Sequence, residues 1–359
     1  MDSRIESLLS YVDYYMVRDE DSNKIIYRIS PSEMLKYYEN PAMSQTYLKA
    51  LKKSLYQYLQ VKEKGVTDKM LLGRVVDALL TGKEDDVFEE FCVVDGDIVP
   101  DINVIELMFN EFDRNTRFES IGREEMIAFI RKHNIFNRLW KDETVYDKMK
   151  TVYSDFWNSC VETGRYRIPI PISLFEKALS MVSIAKSKPI WNKLHEESDL
   201  ILYQLPIYDR IGDMEFKALL DAVFIKNLDD PHITIVDIKT TNGDILDFPK
   251  IYTKLNYGFQ AKFYSMMFFN KFAFDPEENR MDFGFYAITD YTACMFKAPV
   301  YSPHDQEIEM AMNIYAWYLR NGFNEDYLVA KSNYTLMADF YQEDVKHLYE
   351  LEIQDYETI

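Results

Sequence analysis

The chain is expected to fold as an α/β protein: a mixed central sheet flanked by helices, with N-terminal helices and a helical insertion. Three observations predict this. Helical periodicity dominates from about residue 33 to 186, and strand-like runs dominate from about 199 to 240. A long helical stretch at 248–270 then separates those strands from a second strand pair. Helices followed by a mixed sheet with a crossover helix call for a sheet covered on both faces.

The elements follow in order. Residues 24–30, KIIYRIS, read as a short strand, and Ser32 is placed to cap a helix over 33–39. Ser44 precedes a helix over 45–61, and Thr67 opens another through Leu80 with Gly82 near its end as a stop. Helical spacing recurs at about 103–113, 122–132, 143–163 and 173–186. The block 100–165 shows little sign of strand. The chain therefore divides into an N-terminal helical part (1–99), a helical insertion (100–165) and a core (166–359).

Residues 216–240, FKALLDAVFIKNLDDPHITIVDIKT, read as a β-hairpin turning at Leu228-Asp229-Asp230-Pro231. Side chains two apart on a strand share a face, so Asp237 and Lys239 point the same way. Pairing about that turn sets Asp221 opposite positions 237–239. Two carboxylates and an ammonium then meet on an otherwise apolar sheet, which is costly to bury without a purpose. A divalent metal between the carboxylates, with the lysine beside an attacking water, answers that cost. This is the chemistry of metal-dependent phosphodiester hydrolysis. For Asp237 and Lys239 alone, an exposed ion pair at a strand end is the plain alternative. The helix at 248–270 carries Gln260 and Tyr264 four apart, hence on one face. Strands at 281–289 and 293–301, a helix at 304–320 and an acidic terminal helix at 343–359 complete the reading.

Composition sets further bounds. With 359 residues and 47% hydrophobic content the chain can bury a substantial core, as one large or two modest domains. No apolar run approaches the roughly eighteen residues of a membrane span, and the acidic start MDSRIESLLSYVDYYMVRDED lacks the marks of a leader. A cytosolic location is expected. Cys92, Cys160 and Cys294 are far apart, which speaks against a zinc finger or a disulfide framework. The histidines (133, 195, 232, 304 and 347) show no zinc-binding spacing, and His195 is expected to be structural. Walker A, G-x-G-x-x-G and G-x-S-x-G patterns do not occur, so ATPase, Rossmann and α/β-hydrolase readings are poor.

The net charge of −19, from 41 basic and 60 acidic residues, counts against contact with nucleic acid. A groove needs only local positivity, however. The candidates are Lys49, Lys52 and Lys53, then Lys186, Lys188 and Lys193, then Lys250, Lys254 and Lys262.

Asp221, the triplet Asp237-Ile238-Lys239 and the segment Gln260-Ala261-Lys262-Phe263-Tyr264 together resemble the PD-(D/E)XK nuclease superfamily. Within it they look most like the phage-type recombination exonucleases and RecB-type nuclease domains. Residues 43–60 and 72–80 are similar to that group's opening helix and its G-x-x-x-H-x-L-L helix, with Asp77 standing where the histidine is usual. Aspartate ligates a hard cation as well as imidazole does. The resemblance covers about 30–80 and 195–300 and implies a restriction-endonuclease-like core.

It also implies Mg²⁺, with Mn²⁺ as substitute, held by Asp221, Asp237, the Ile238 carbonyl, Asp77 and Glu197, with Glu196 as the alternative to Glu197. Lys239 would act on the attacking water, and Gln260 and Tyr264 would orient the metal site or a phosphate. The three scattered cysteines speak against the iron–sulfur cluster that some relatives hold. DNA is the implied partner, with an annealing protein and further copies of the chain beside it. Two alternatives stay open: an endonuclease or resolvase on the same core, and a catalytically silent binding module whose acidic surface recruits a basic partner or mimics DNA.

Overall fold

The computed structural model describes residues 1–18, 25–63, 67–82, 87–88, 90–94, 99–164, 167–274, 281–302 and 305–323. The expected terminal helix at 343–359 lies outside them, as do His304 and His347. The chain forms two compact units, Met1–Lys64 with Ser183–Ile359, and Gly65–Val182.

The first unit begins with α1 (Ser3–Leu9), β1 (Tyr14–Arg18), β2 (Ile25–Ile29), α2 (Pro31–Glu39), β3 (Met43–Ser44), α3 (Gln45–Lys53) and α4 (Leu55–Glu63). The second unit holds α5 (Asp68–Thr81), β4 (Phe91–Val94), α6 (Ile102–Glu111), α7 (Arg123–His133), α8 (Asp142–Thr163), β5 (Ile168–Pro171) and most of α9 (Ile172–Lys186). The first unit resumes with α10 (Pro189–Glu197), β6 (Leu200–Ile211), β7 (Met214–Lys226), β8 (His232–Thr240), α11 (Phe248–Leu255), α12 (Tyr257–Phe272), β9 (Met281–Ile288), β10 (Ala293–Ala298) and α13 (Gln306–Asn321).

Among the described residues the first unit carries one mixed sheet in the order β1-β2-β6-β7-β8-β9-β10, with β3 paired to β7 off that path. Hairpin neighbours β6, β7 and β8 run antiparallel, while β8 and β9 run parallel. A parallel pair needs a crossover, and α11 with α12 supplies it. One face buries Leu202, Ile207, Val223, Ile235 and Phe285 against Leu48 and Leu51 of α3, Phe263 and Met267 of α12, and Ile314 of α13. The other face takes α10, whose Trp191 stacks 5.0 Å from Tyr286 and meets Phe224 edge-on. Helices cover both faces, and the class is α/β, as expected.

Several boundaries differ from expectation, each for a local reason. The second helix starts at Pro31, not after Ser32. Ser30 caps it, its Oγ accepting the Glu33 N–H at 3.3 Å, and proline suits the first helical position. The helix expected over 45–61 breaks at Ser54, whose extended backbone ends α3 and whose Oγ accepts the Gln57 N–H at 3.2 Å to begin α4. The helix expected over 248–270 is two helices that meet at Asn256. β1 was not foreseen; it is a short strand that pairs along all of β2.

The block 100–165 lies within the compact unit Gly65–Val182. β4 and β5 pair in parallel, Cys92 opposite Pro169, and so draw the flanks of the block into the same unit. That unit has its own core, which buries Met126, Met149 and Trp157, the last with its ring 4.8 Å from that of Phe109. Among the described residues no helix is long and apolar enough to cross a membrane.

Candidate active site

The hairpin forms as its sequence demands. β7 and β8 pair from Lys226 opposite His232 to Ala222 opposite Val236, and there the ladder stops. One step further, the same register sets Asp221 across from Asp237. At that step a side chain replaces the ladder, since the Ile238 N–H donates to Asp221 Oδ2 at 2.7 Å. The strands have begun to part, and β3 takes the neighbouring edge of β7 at Phe216 and Lys217. Asp221 thus stands in the gap between β3 and β8.

Asp237 is only 2% exposed. Its Oδ1 accepts from Gln260 Nε2 at 2.6 Å, the reach of an amide on α12 down to the sheet. Its Oδ2 lies 2.5 Å from Lys239 Nζ. The angles of that contact are not those of a hydrogen bond, so this buried oxygen has an ion-pair partner but no aligned donor. Burial pushes the Asp237 carboxyl above the ordinary aspartate range, with Lys239 and Lys49 pulling against it.

Lys239 follows from strand alternation: two residues on, it emerges on the same side as Asp237. Its ammonium also lies over the Tyr257 ring at 5.2 Å and the Phe285 ring at 6.0 Å, within cation–π range. Burial disfavours its charge, but Asp237 and Asp221 together outweigh burial and hold its pKa above the ordinary lysine value. Lys49 on α3 donates to the Leu255 carbonyl at 2.8 Å. Burial, then Lys239, then Lys53, lower it to about 8. Tyr264, one turn after Gln260 and hydrogen-bonded to it, is raised well above the usual phenol range by burial, then by Tyr37, Asp237 and Asp221.

The structure therefore brings together Asp221, Asp237, Lys239, Gln260 and Tyr264. Glu197 is elsewhere. It ion-pairs with Lys226 at 3.3 Å and Lys193 at 3.7 Å, at the turn end of the hairpin. Lys226 lies five residues along β7 from Asp221, roughly 17 Å at strand rise. The packing of Trp191 on Phe224 and Tyr286 sends the end of α10 toward that turn. Asp77 is half-buried on α5 and belongs to the second unit.

His195 is structural, its Nδ1 on the Trp191 carbonyl at 2.9 Å and its Nε2 on Tyr203 Oη at 2.6 Å. A cavity of about 530 Å³ also opens at the turn end, but Asp221, Asp237 and Lys239 do not line it. In its lining Asp282 is met by Lys297 at 2.9 Å and by His232 Nε2 at 3.1 Å. Among the candidate DNA-facing lysines, Lys52 pairs with Glu307, Lys262 with Asp305 and Lys250 with Asp247.

Sequence reasoning missed Tyr257 and Tyr37. Tyr37 on α2 holds its ring 4.8 Å from Lys217 Nζ and lies within electrostatic reach of Asp221. Both come to the site through tertiary packing, and no local spacing signals them.

The donors suit a hard divalent cation. Asp221 and Asp237 offer carboxylate oxygens, one of them a buried oxygen without an aligned donor. Mg²⁺ keeps several waters, so two carboxylates are enough to hold it. Among the described residues no three His, Cys, Asp or Glu side chains gather closely enough to hold a metal ion.

No protein-family model matches the chain, and no curated protein does. The solved structures to which the chain is distantly similar include the following. A candidate exonuclease from Eubacterium rectale superposes over 83% of this chain and 88% of its own, at 11% identity and a TM-score of 0.42. The protein SSO0001 covers 72% and 88% at 12% identity and a TM-score of 0.25. VC1899 from Vibrio cholerae covers 89% and 73% at 10% identity and a TM-score of 0.19. Superpositions this loose carry nothing about activity.

Proposed function

We propose that the chain is a metal-dependent DNA nuclease that hydrolyses phosphodiester bonds, of the exonuclease type that works on duplex ends in recombination or replication. One observation carries the reading. Asp237 is buried beside Lys239, with a carboxylate oxygen that lacks an aligned donor, at the point where its strand parts from Asp221. Keeping such a charge buried is costly unless a cation uses it.

Asp221 and Asp237 would hold Mg²⁺, with the Ile238 carbonyl as a further oxygen donor. When bound, the ion neutralises charge on the phosphate and activates water. Gln260 fixes one Asp237 oxygen and so sets the direction of the other. Lys239, held 2.5 Å from Asp237, would orient or help deprotonate the attacking water and stabilise the charge that builds on the phosphate. Tyr264 steadies Gln260 from the next turn of α12.

The net charge of −19 favours a second reading, a binding module on the same fold whose Asp237–Lys239 pair is closed for good. Metal binding separates the two. Under the nuclease reading, millimolar Mg²⁺ or Mn²⁺ raises the unfolding midpoint of the wild type, and Asp221→Asn reduces that rise. An equal midpoint with and without metal favours the module.

A further inference from the structure

The β6–β7 ladder changes face at Asp221. The two strands keep one register from Leu200 opposite Ile225 to Ile211 opposite Met214, which sets Gln204 across from Asp221. On either side the inward faces disagree. In β6 the core receives Leu200 and Leu202, then Leu205 and Ile207. In β7 it receives Phe216, Ala218 and Leu220, then Val223 and Ile225. A regular pleat alternates strictly, so each strand slips by one residue, and both slip at the same place.

The cause is in the backbone. Gln204 has φ 56, the left-handed conformation that a residue with a side chain seldom adopts. Among the described residues the other non-glycine positions with positive φ are Asn134, Asn227, Asn256 and Ala273, at helix ends and a turn. Gln204 lies inside a strand and is only 3% exposed.

We infer that Gln204 is a positioning residue: its left-handed backbone holds the paired kink that turns Asp221 out of the pleat and edgewise toward β8. Without the slip, Asp221 would fall in the alternation set by its neighbours. With it, Asp221 belongs to neither face, and its carboxylate meets the Ile238 N–H at 2.7 Å on the neighbouring strand. Buried backbone strain of this kind persists only where the surroundings enforce it, and it gathers at functional sites. The functional value of the placement rests on the nuclease reading; the placement itself does not.

The test is amide hydrogen exchange at Ile238 in the full chain, which reports the bond to Asp221 without any metal. Asp221→Ala sets the scale, with an expected acceleration of roughly ten- to a hundredfold from loss of a charge-assisted bond. Gln204→Val, which disfavours the left-handed region, is expected to match it while the amides of Leu202 and Leu205 stay protected. Gln204→Gly accepts that region freely and is expected to keep Ile238 protected. Unchanged protection in Gln204→Val overturns the inference. So does lost protection in Gln204→Gly, and this second variant decides the matter even if Gln204→Val does not fold. A parallel Mn²⁺ titration keeps the two claims apart. A wild type that is not stabilised by Mn²⁺ sinks the metal reading, whereas the exchange result judges Gln204 alone.

Discussion

Asp237 keeps a neutral donor on one oxygen and a cation on the other, and each is worth testing alone. Replacing Gln260 with Leu leaves a buried carboxylate oxygen without its 2.6 Å donor, a loss of about 1–3 kcal/mol in urea unfolding. A change below a few tenths would mean that water already serves that oxygen. Lys49 gives a pH signature. Its folded pKa, pushed down to about 8, is below the roughly 10.4 of an unfolded lysine. The folded protein gives up this proton first, so the residue's contribution to stability is lowest below about pH 8 and rises toward about pH 10. Lys49→Met is expected to unfold later than wild type at about pH 7 and to lose part of that alkaline rise. Equal shifts at both ends of the window would contradict this. Asp221, Asp237, Lys239 and Gln260 were legible in the sequence because turn position and the two periodicities fix their neighbours. Glu197 was misplaced because helix spacing does not say which end of a hairpin a helix will meet.

At the scale of elements, the joint at Asn256 sets the angle at which Gln260 reaches the sheet. Asn256 is left-handed, with φ 49, and ends α11. Its Oδ1 then accepts the Phe259 N–H at 3.3 Å to cap α12, while its Nδ2 donates to Glu307 at 2.7 Å. Asn256→Ala loses the cap and strains the backbone, at a cost of about 2 kcal/mol or more. Asn256→Gly keeps the conformation and is expected to lose less. Urea midpoints for the two variants check the order, and the reverse order would place the joint's stability in the side chain alone. The hairpin, the crossover and the order of strands were readable from apolar alternation and length. The breaks at Ser54 and Asn256 were not, because each is a single residue whose capping role shows only once its neighbours are placed. The slip at Gln204 was also hidden, since LILYQLPIYD reads as an unbroken apolar strand.

Across the whole molecule, charge and site pull in opposite directions. A chain at −19 repels DNA at long range, and two of its candidate DNA-facing lysines, Lys52 and Lys262, are committed to carboxylates. Under the proposed reading the site would depend on the metal for local positivity, so DNA affinity should rise steeply with Mg²⁺ and fall with added salt. Metal at about a hundredfold over its dissociation constant should add about 2.7 kcal/mol of stability. The most direct measurement is digestion of end-labelled linear duplex in Mg²⁺ by the wild type and by Lys239→Ala, with circular duplex beside it. The expected result is loss of the linear DNA, with circles intact, and no cleavage by the variant. Cleavage of circles as well would make the enzyme an endonuclease. Intact linear DNA with folded, metal-binding wild type, or full activity in Lys239→Ala, would contradict the assignment of this site.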